Sequence, residues 1–377
     1  MQETTPKRIK VLILCGSMHC GGLENQLMYI IRNADKNEFQ IDFTVYSKNA
    51  YYFNEIESLG GCCHVIPETN KVHLIKYSKE LYKVMKQGEY DIVHSNQLFH
   101  SGLVLLVAKL AGVKKRFAHA HNIAEGNGER TTIIRRIYNF VMRFLILHLA
   151  TDFCACSTPA GKFLFGENII NNKNFHLIFN SVNTSEFLDN YSNEEVGEFC
   201  DAEWKNVIQV SRFSDVKNQL FTADIAKIFK DENKKIRFIC VGANNNDYER
   251  ALRKKIIDNG LQDYLLLPGI RSDIAVLERK SNAFILPSLY EGMPLALIEA
   301  QAAGLPCVTS NTYSQEVDFD IGYVNWLPLG DAELWAKAIE EAVEKPRAPK
   351  DAVDNAIKKK GFDSFGFSNK VLELYRK

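Results

Sequence analysis

Glu291 and Glu299 stand with seven residues between them, inside the run Leu286-Pro-Ser-Leu-Tyr-Glu-Gly-Met-Pro-Leu-Ala-Leu-Ile-Glu-Ala-Gln-Ala-Ala-Gly-Leu-Pro306. Ala283–Pro287 reads as the end of a buried strand. Pro294 suits the first turn of a helix carrying Leu295, Leu297, Ile298 and Ala302, which Gly304 and Pro306 stop. Strand, glycine-containing loop and helix start is where an open α/β sheet binds ligands. Free backbone N–H groups and about half a positive charge point outward there. Gly292, Met293, Pro294 and Leu295 form that junction. Glu291 would repel a bare phosphate, so a ligand offering hydroxyls as well as charge fits better. A nucleotide sugar offers both. Glu291 could accept sugar hydroxyls and Glu299 those of a ribose. Two lone glutamates more commonly make surface ion pairs, but the flanking Gly-Met-Pro, Glu-Ala-Gln and Gly-Leu-Pro shift the balance.

A second cluster follows the apolar run Val207–Val210, where Arg212 offers a bidentate fork and Lys217 a point charge. Just past a buried strand, the pair suits a diphosphate; either residue alone would be an ordinary solvated cation.

The segment 286–306 resembles the Glu-x7-Glu signature of retaining glycosyltransferases with the GT-B fold, the large family numbered four. Val207-Ile-Gln-Val-Ser-Arg-Phe213 with Lys217-Asn218, Ile239-Cys-Val-Gly242, and Leu267-Pro-Gly269 with Arg271-Ser-Asp273 follow in that family's order. The resemblance covers most of residues 205 to 316. It implies a donor diphosphate held by Arg212 and Lys217, a sugar oriented by Glu291, a ribose held by Glu299, and a base read near Ile270 and Arg271. It carries over Gly21 and Gly22, which follow the first strand, and His121, which follows another. Ser181, Asn183 and Ser211 depart from the family's Gly, Asp and Gly. The chemistry implied is transfer of a hexosyl unit with retention from a nucleoside-diphosphate sugar, a UDP-sugar being favoured. The acceptor would be a glycan or polyprenyl-linked hydroxyl in bacterial surface-glycan synthesis. No divalent metal is expected if Arg212 and Lys217 neutralise the leaving group. A sugar-nucleotide epimerase of the same fold, or a non-catalytic partner subunit, would be the alternatives.

These residues need a scaffold, and 377 residues exceed what one core usually supports. The strands expected in the first half are Val11–Leu14, Ile41–Tyr46, Cys63–Ile66, Ile92–His94, Arg116–His119 and Phe153–Ala155. Alternation with helical stretches predicts a doubly wound parallel sheet. With the resemblance, the division is an N-terminal Rossmann-like acceptor domain over 1–185, a linker over 186–204, and a donor domain over 205–360. A last helix within 361–377 would cross back to the first domain, and the two domains would face a central crevice.

Forty-six basic and 46 acidic residues cancel, so no basic field draws in nucleic acid. Nine cysteines, several in apolar strands, read as reduced, cytoplasmic usage, and their spacing suits no zinc site. No signal peptide is legible, and no apolar run approaches the roughly 20 residues of a membrane span. Arg130–Leu149 reads as a basic amphipathic helix. Its apolar stripe would pack on the sheet, as in any α/β domain, or would meet anionic lipid on the inner face of the plasma membrane.

Overall fold

The computed structural model describes residues 7–19, 21–68, 74–123, 132–188 and 203–377. Contacts divide the chain into two compact units, Met1–Asn180 with Ser364–Lys377, and Ser181–Asp363.

The first unit contains β1 (Ile9–Gly16), α1 (Gly22–Asn33), β2 (Phe39–Val45), α2 (Phe53–Ser58), β3 (Cys63–Val65), α3 (Leu74–Gly88), β4 (Ile92–Ser95) and α4 (Ser101–Ala111). It continues through β5 (Lys115–Ala120), α5 (Ile133–Leu149), β6 (Asp152–Ala155), α6 (Thr158–Phe165) and β7 (Phe175–Leu177). All pairings are parallel and the strand order is β3-β2-β1-β4-β5-β6-β7. The apolar run of β1 serves two cores at once. Val11 and Ile13 face one with α1, while Leu12 and Leu14 face another with Tyr77, Leu81 and Val104. A parallel sheet covered on both faces demands such continuous apolar strands.

The second unit opens with α7 (Thr184–Leu188) and continues with β8 (Lys205–Val210), α8 (Gln219–Asp231), β9 (Ile236–Val241), α9 (Asp247–Asp258), β10 (Leu265–Gly269) and α10 (Ile274–Lys280). It closes with β11 (Ala283–Leu286), α11 (Leu295–Ala302), β12 (Cys307–Ser310), β13 (Val324–Leu327), α12 (Ala332–Glu344) and α13 (Lys350–Lys360). Its parallel order is β10-β9-β8-β11-β12-β13. Both sheets are therefore doubly wound. The strand order reverses between β1 and β4 in one and between β8 and β11 in the other, which opens a ligand position outside the carboxyl ends of those strands.

The last helix, α14 (Ser364–Arg376), belongs to the first unit. Phe367, Val371, Leu372 and Tyr375 join the core that holds Val11 and Ile13. The Ser368 hydroxyl accepts from Asn33 Nδ2 at 3.1 Å, tying α14 to α1.

Two expectations need correction. The edge strand β7 was not anticipated; its three residues are only half-buried and show no strong apolar pattern. The apolar stripe of the 130–149 helix does not pack on the sheet. Ile133, Ile134, Ile137, Phe140 and Phe144 are 75, 80, 59, 73 and 53% exposed, and only Ile146 and Leu149 of α5 are buried. The opposite face does the anchoring. A Cβ at Gly102 of α4 would lie 2.5 Å from the Met142 carbonyl oxygen, so the helices cross closely there. Arg143 Nε donates to the Leu164 carbonyl at 3.0 Å. Arg130, and residues 189–202 of the expected linker, lie outside the described residues.

Candidate functional site

Beyond β8 the chain is pinned before it reaches Lys217. The fully buried Gln209 donates from Nε2 to the Lys217 carbonyl at 2.8 Å and accepts from Thr222 Oγ1 at 2.7 Å. Gln219, also fully buried, donates to Ser211 Oγ at 2.8 Å and to the Arg212 carbonyl at 3.1 Å. Asn218 caps α8 with φ of 57°, a left-handed conformation that Asn tolerates better than most side chains. Gly242 has φ of 137°, and a Cβ on it would lie 2.0 Å from the Ser211 carbonyl oxygen, so no other residue fits against this loop. Arg212 is exposed at the end of this framework, and its guanidinium has no partner among the described residues.

Beyond β11, Ser288 is fully buried. Its carbonyl accepts from Ser310 Oγ at 2.5 Å and Thr312 Oγ1 at 2.8 Å, and its own hydroxyl donates to Glu291 Oε1 at 2.7 Å. Lys217 Nζ donates to the same carboxylate oxygen at 2.5 Å. The Leu289 amide donates to the Val216 carbonyl at 2.8 Å. The two loops flanking the switch point of the second sheet are thus joined by backbone and by charge. Met293 and Pro294 are buried beneath Gly292, and Pro294 stands at the N-cap of α11 rather than within its first turn. Leu295 opens that helix.

Glu299 lies one turn further along α11. Burial first, and the Glu186 carboxylate second, push its carboxyl up to about 7. Behind it Glu278 of α10 is wholly buried with both carboxyl oxygens unpartnered. Burial raises its pKa well above the ordinary range, Glu299 adds to the rise, and Arg347 opposes it. Arg347 spends its own donors on the carbonyls of Ala303, Glu278, Arg279 and Ser281, at 2.6 to 2.8 Å. Arg271 forms a bidentate pair with Asp273 at 2.8 and 2.6 Å, and that pairing draws the Asp273 carboxyl below its usual value.

His121, Gly21 and Gly22 belong to the first unit. Gly21 caps α1 in an extended conformation open to any residue, and Gly22 begins the helix. His121 Nε2 bonds Asn96 Oδ1 at 2.8 Å, and the Asn96 amide donates to the Leu14 carbonyl at 2.7 Å, linking the ends of β5, β4 and β1. Burial and then His94 hold the His121 imidazole down to about 3, so it is neutral. Behind it the His119 ring lies 4.0 Å from His121 and stacks on His94 at 5.3 Å. His94 Nδ1 meets the Tyr375 hydroxyl at 2.6 Å. Asn96, Ser288, Gln209 and Gln219 were not legible as site residues, because single polar residues at strand ends carry no spacing signal. Among the described residues no group of three His, Cys, Asp or Glu could hold a metal ion.

Two doubly wound parallel sheets, one with Arg, Lys and Glu gathered at its switch point, define a GT-B type fold. The family described as Glycosyl transferases group 1 matches residues 199–359. The one described as Glycosyltransferase Family 4 matches residues 20–186. EpsF of Bacillus subtilis (strain 168), provisionally designated a glycosyltransferase, is 31% identical over 372 residues, spanning 97% of this chain and 96% of its own. The capsular polysaccharide biosynthesis glycosyltransferase CapH of Staphylococcus aureus is 26% identical over 349 residues, 90% and 92% of the two chains. The UDP-Gal:alpha-D-GlcNAc-diphosphoundecaprenol alpha-1,3-galactosyltransferase of Escherichia coli is 30% identical over 247 residues, 64% and 63% of the two chains. Among solved structures, Anabaena HepE in complex with UDP-glucose has a TM-score of 0.78 at 19% identity, covering 97% and 99%. The chain belongs to this glycosyltransferase family, with a Glycosyltransferase Family 4 region followed by a group 1 region.

Proposed function

We propose that this glycosyltransferase moves a hexosyl unit, with retention, from a UDP-sugar to a hydroxyl of a glycan or polyprenyl-linked acceptor in surface-polysaccharide synthesis. The observation that carries the donor side is the joined pair of loops presenting Arg212, Lys217 and Glu291 beside α11. Departure of a diphosphate builds negative charge on its oxygens while the sugar gains oxocarbenium character. Cations fixed beforehand stabilise that charge without reorganising. The Lys217 ammonium has three donors and can keep Glu291 while gaining a phosphate oxygen. Arg212 brings an uncommitted fork. Glu291, steadied by Ser288 and Lys217, retains lone pairs for sugar hydroxyls, and Glu299 receives the ribose. Gly292 to Leu295 offer backbone to the donor and Arg271 stands by the base, while the parts assigned to His121, Gly21 and Gly22 of the first unit rest on the family resemblance. With this charge in place a divalent ion is not required. The UDP preference is supported by HepE and the Escherichia coli relative, the lipid-linked acceptor by the latter, and the pathway by CapH. The exposed apolar stripe of α5, beside Arg135 and Arg136, supports peripheral contact with the inner face of the plasma membrane. No helix of the described residues is long and apolar enough to cross a membrane.

Calorimetric titration with UDP, GDP, UDP-sugars and GDP-mannose, each with and without EDTA, tests the donor reading. Chelator-insensitive binding of uridine nucleotides, lost in Glu299→Ala, is expected; binding of guanosine nucleotides alone, or only with metal, would refute it. The anomeric configuration of the product, read by NMR, decides retention.

A further inference from the structure

Helices α3, α4 and α5 pack side by side, α4 touching both neighbours. Their charge is one-sided in a chain whose formal net charge is zero. On α3 stand Lys76, Lys79, Lys83 and Lys86 against the single acid Glu80; α4 carries Lys109 and no acid; α5 carries three arginines and no acid. Between α3 and α4 runs an open groove of about 510 Å³, within the size range of small-molecule sites. Its apolar walls include Ile75, Tyr82, Val107 and Leu110, and its charged members are Lys79 and Lys83. Ile75 and Leu110 are 71 and 67% exposed. The core beneath is closed without them, by Tyr77, Leu81, Met85, Val104 and Ala108.

We propose that this groove takes a hydrocarbon chain of an anionic membrane lipid, giving the protein a second seat on the bilayer beside α5. The inference rests on the peripheral membrane contact proposed above. Charge complementarity selects the occupant. A soluble protein partner would be expected to meet charges of both signs, whereas a groove whose charged lining residues are Lys79 and Lys83, with Glu80 paired to Lys83 at 3.0 Å as the single acid of helices rich in cations, matches an acyl chain beneath an anionic headgroup. Lysine stems lie along apolar surface while their ammonium groups reach the phosphates.

The chain's tryptophans, Trp204, Trp326 and Trp335, all lie in the second unit. Tyr82→Trp therefore installs a reporter in the groove, with wild type as the baseline. Vesicles of equal parts phosphatidylglycerol and phosphatidylcholine, with brominated acyl chains, should quench the added emission, and vesicles of phosphatidylcholine alone should not. Ile75→Glu with Leu110→Glu should weaken binding to the anionic vesicles by about tenfold or more. Both positions are exposed, so nucleotide affinity and thermal midpoint should stay at the wild-type values and report an intact fold. If wild type sediments with the vesicles but the added emission escapes quenching, the groove inference fails and the α5 contact stands. If wild type does not sediment at all, both fail. If the Glu pair instead dissociates a dimer seen by light scattering, the groove is a self-association surface and the lipid reading is overturned.

Discussion

Lys217 and Glu291 lie 74 positions apart in the chain, yet their charged ends meet at 2.5 Å across the switch point of the second sheet. The pair is largely shielded, with side chains 24 and 11% exposed, so the charges act on each other and on any ligand more strongly than surface groups would. Lys217→Ala should lower kcat/KM by about 10²- to 10³-fold, the usual effect of removing one preorganised charge stabiliser. Glu291→Gln keeps the bond from Ser288 and should lose less than Glu291→Ala. Steady-state kinetics on the three variants decide this; equal losses for Gln and Ala would mean that the carboxamide geometry is irrelevant.

Glu299 supplies a pH dependence whose sign is fixed. Its folded pKa, pushed up to about 7, lies above its unfolded value, so the proton is retained below that point and the carboxylate is complete only above it. Donor KM should therefore rise as pH falls through about 7. In Glu299→Gln that acid limb should vanish, with a uniformly higher KM. The same limb in both proteins would assign it to another group.

Gly242→Ala places a methyl group against the Ser211 carbonyl at a φ of 137°. We expect a loss of about 2 kcal/mol or more in urea unfolding. Because Ser211 and Arg212 must move, weaker nucleotide binding should accompany it. A stable variant with unaltered nucleotide affinity would show that this loop is softer than its contacts suggest.

Arg347→Met should cost about 3 kcal/mol, since four carbonyls lose their donor while the methylene stem is roughly kept. Chemical denaturation measures it directly. Glu278 would then sit without the larger of the two cations, Arg347 and Arg279, that offset its burial, and the loss should grow as pH rises.

The first unit should weaken in acid. Burial holds His94 down to about 3, below its unfolded value, so between those two pKa values the unfolded chain binds the extra proton. Stability is complete above about pH 6.5 and falls as pH drops towards 3, by at most about 1.4 kcal/mol per pH unit for this one group. His94→Gln should show a shallower decline between about pH 7 and about pH 5, whatever its stability at neutrality.

The strands were legible where both faces are buried. Val11–Leu14 and Val207–Val210 could hardly be anything else, and their turn and helix signals gave the doubly wound plan. What could not be read is what depends on other elements. No periodicity says whether the stripe of α5 faces a sheet or water, because the answer lies in Gly102 and Arg143 anchoring its opposite side. Likewise Arg212, Lys217, Glu291 and Glu299 stood out by type and position. The pairing of Lys217 with Glu291, the neutrality of His121 and the bare acid of Glu278 arise from burial and tertiary contact. Asn96 is ordinary in sequence and becomes a link only when β1, β4 and β5 align.

The first unit closes with a helix, α14, that follows the whole of the second unit in the chain. During synthesis its seven strands emerge early, but Tyr375, the partner of His94, and the apolar side chains of α14 leave the ribosome after the entire second unit. The second unit is continuous and can fold as soon as it is exposed, so the usual order of domain folding on the ribosome is inverted here. The N-terminal sheet must wait, with part of its core open, until α14 has been translated. A chain cut short within α14 would leave that sheet a lasting client of chaperones, even with every donor-site residue of the second unit already in place.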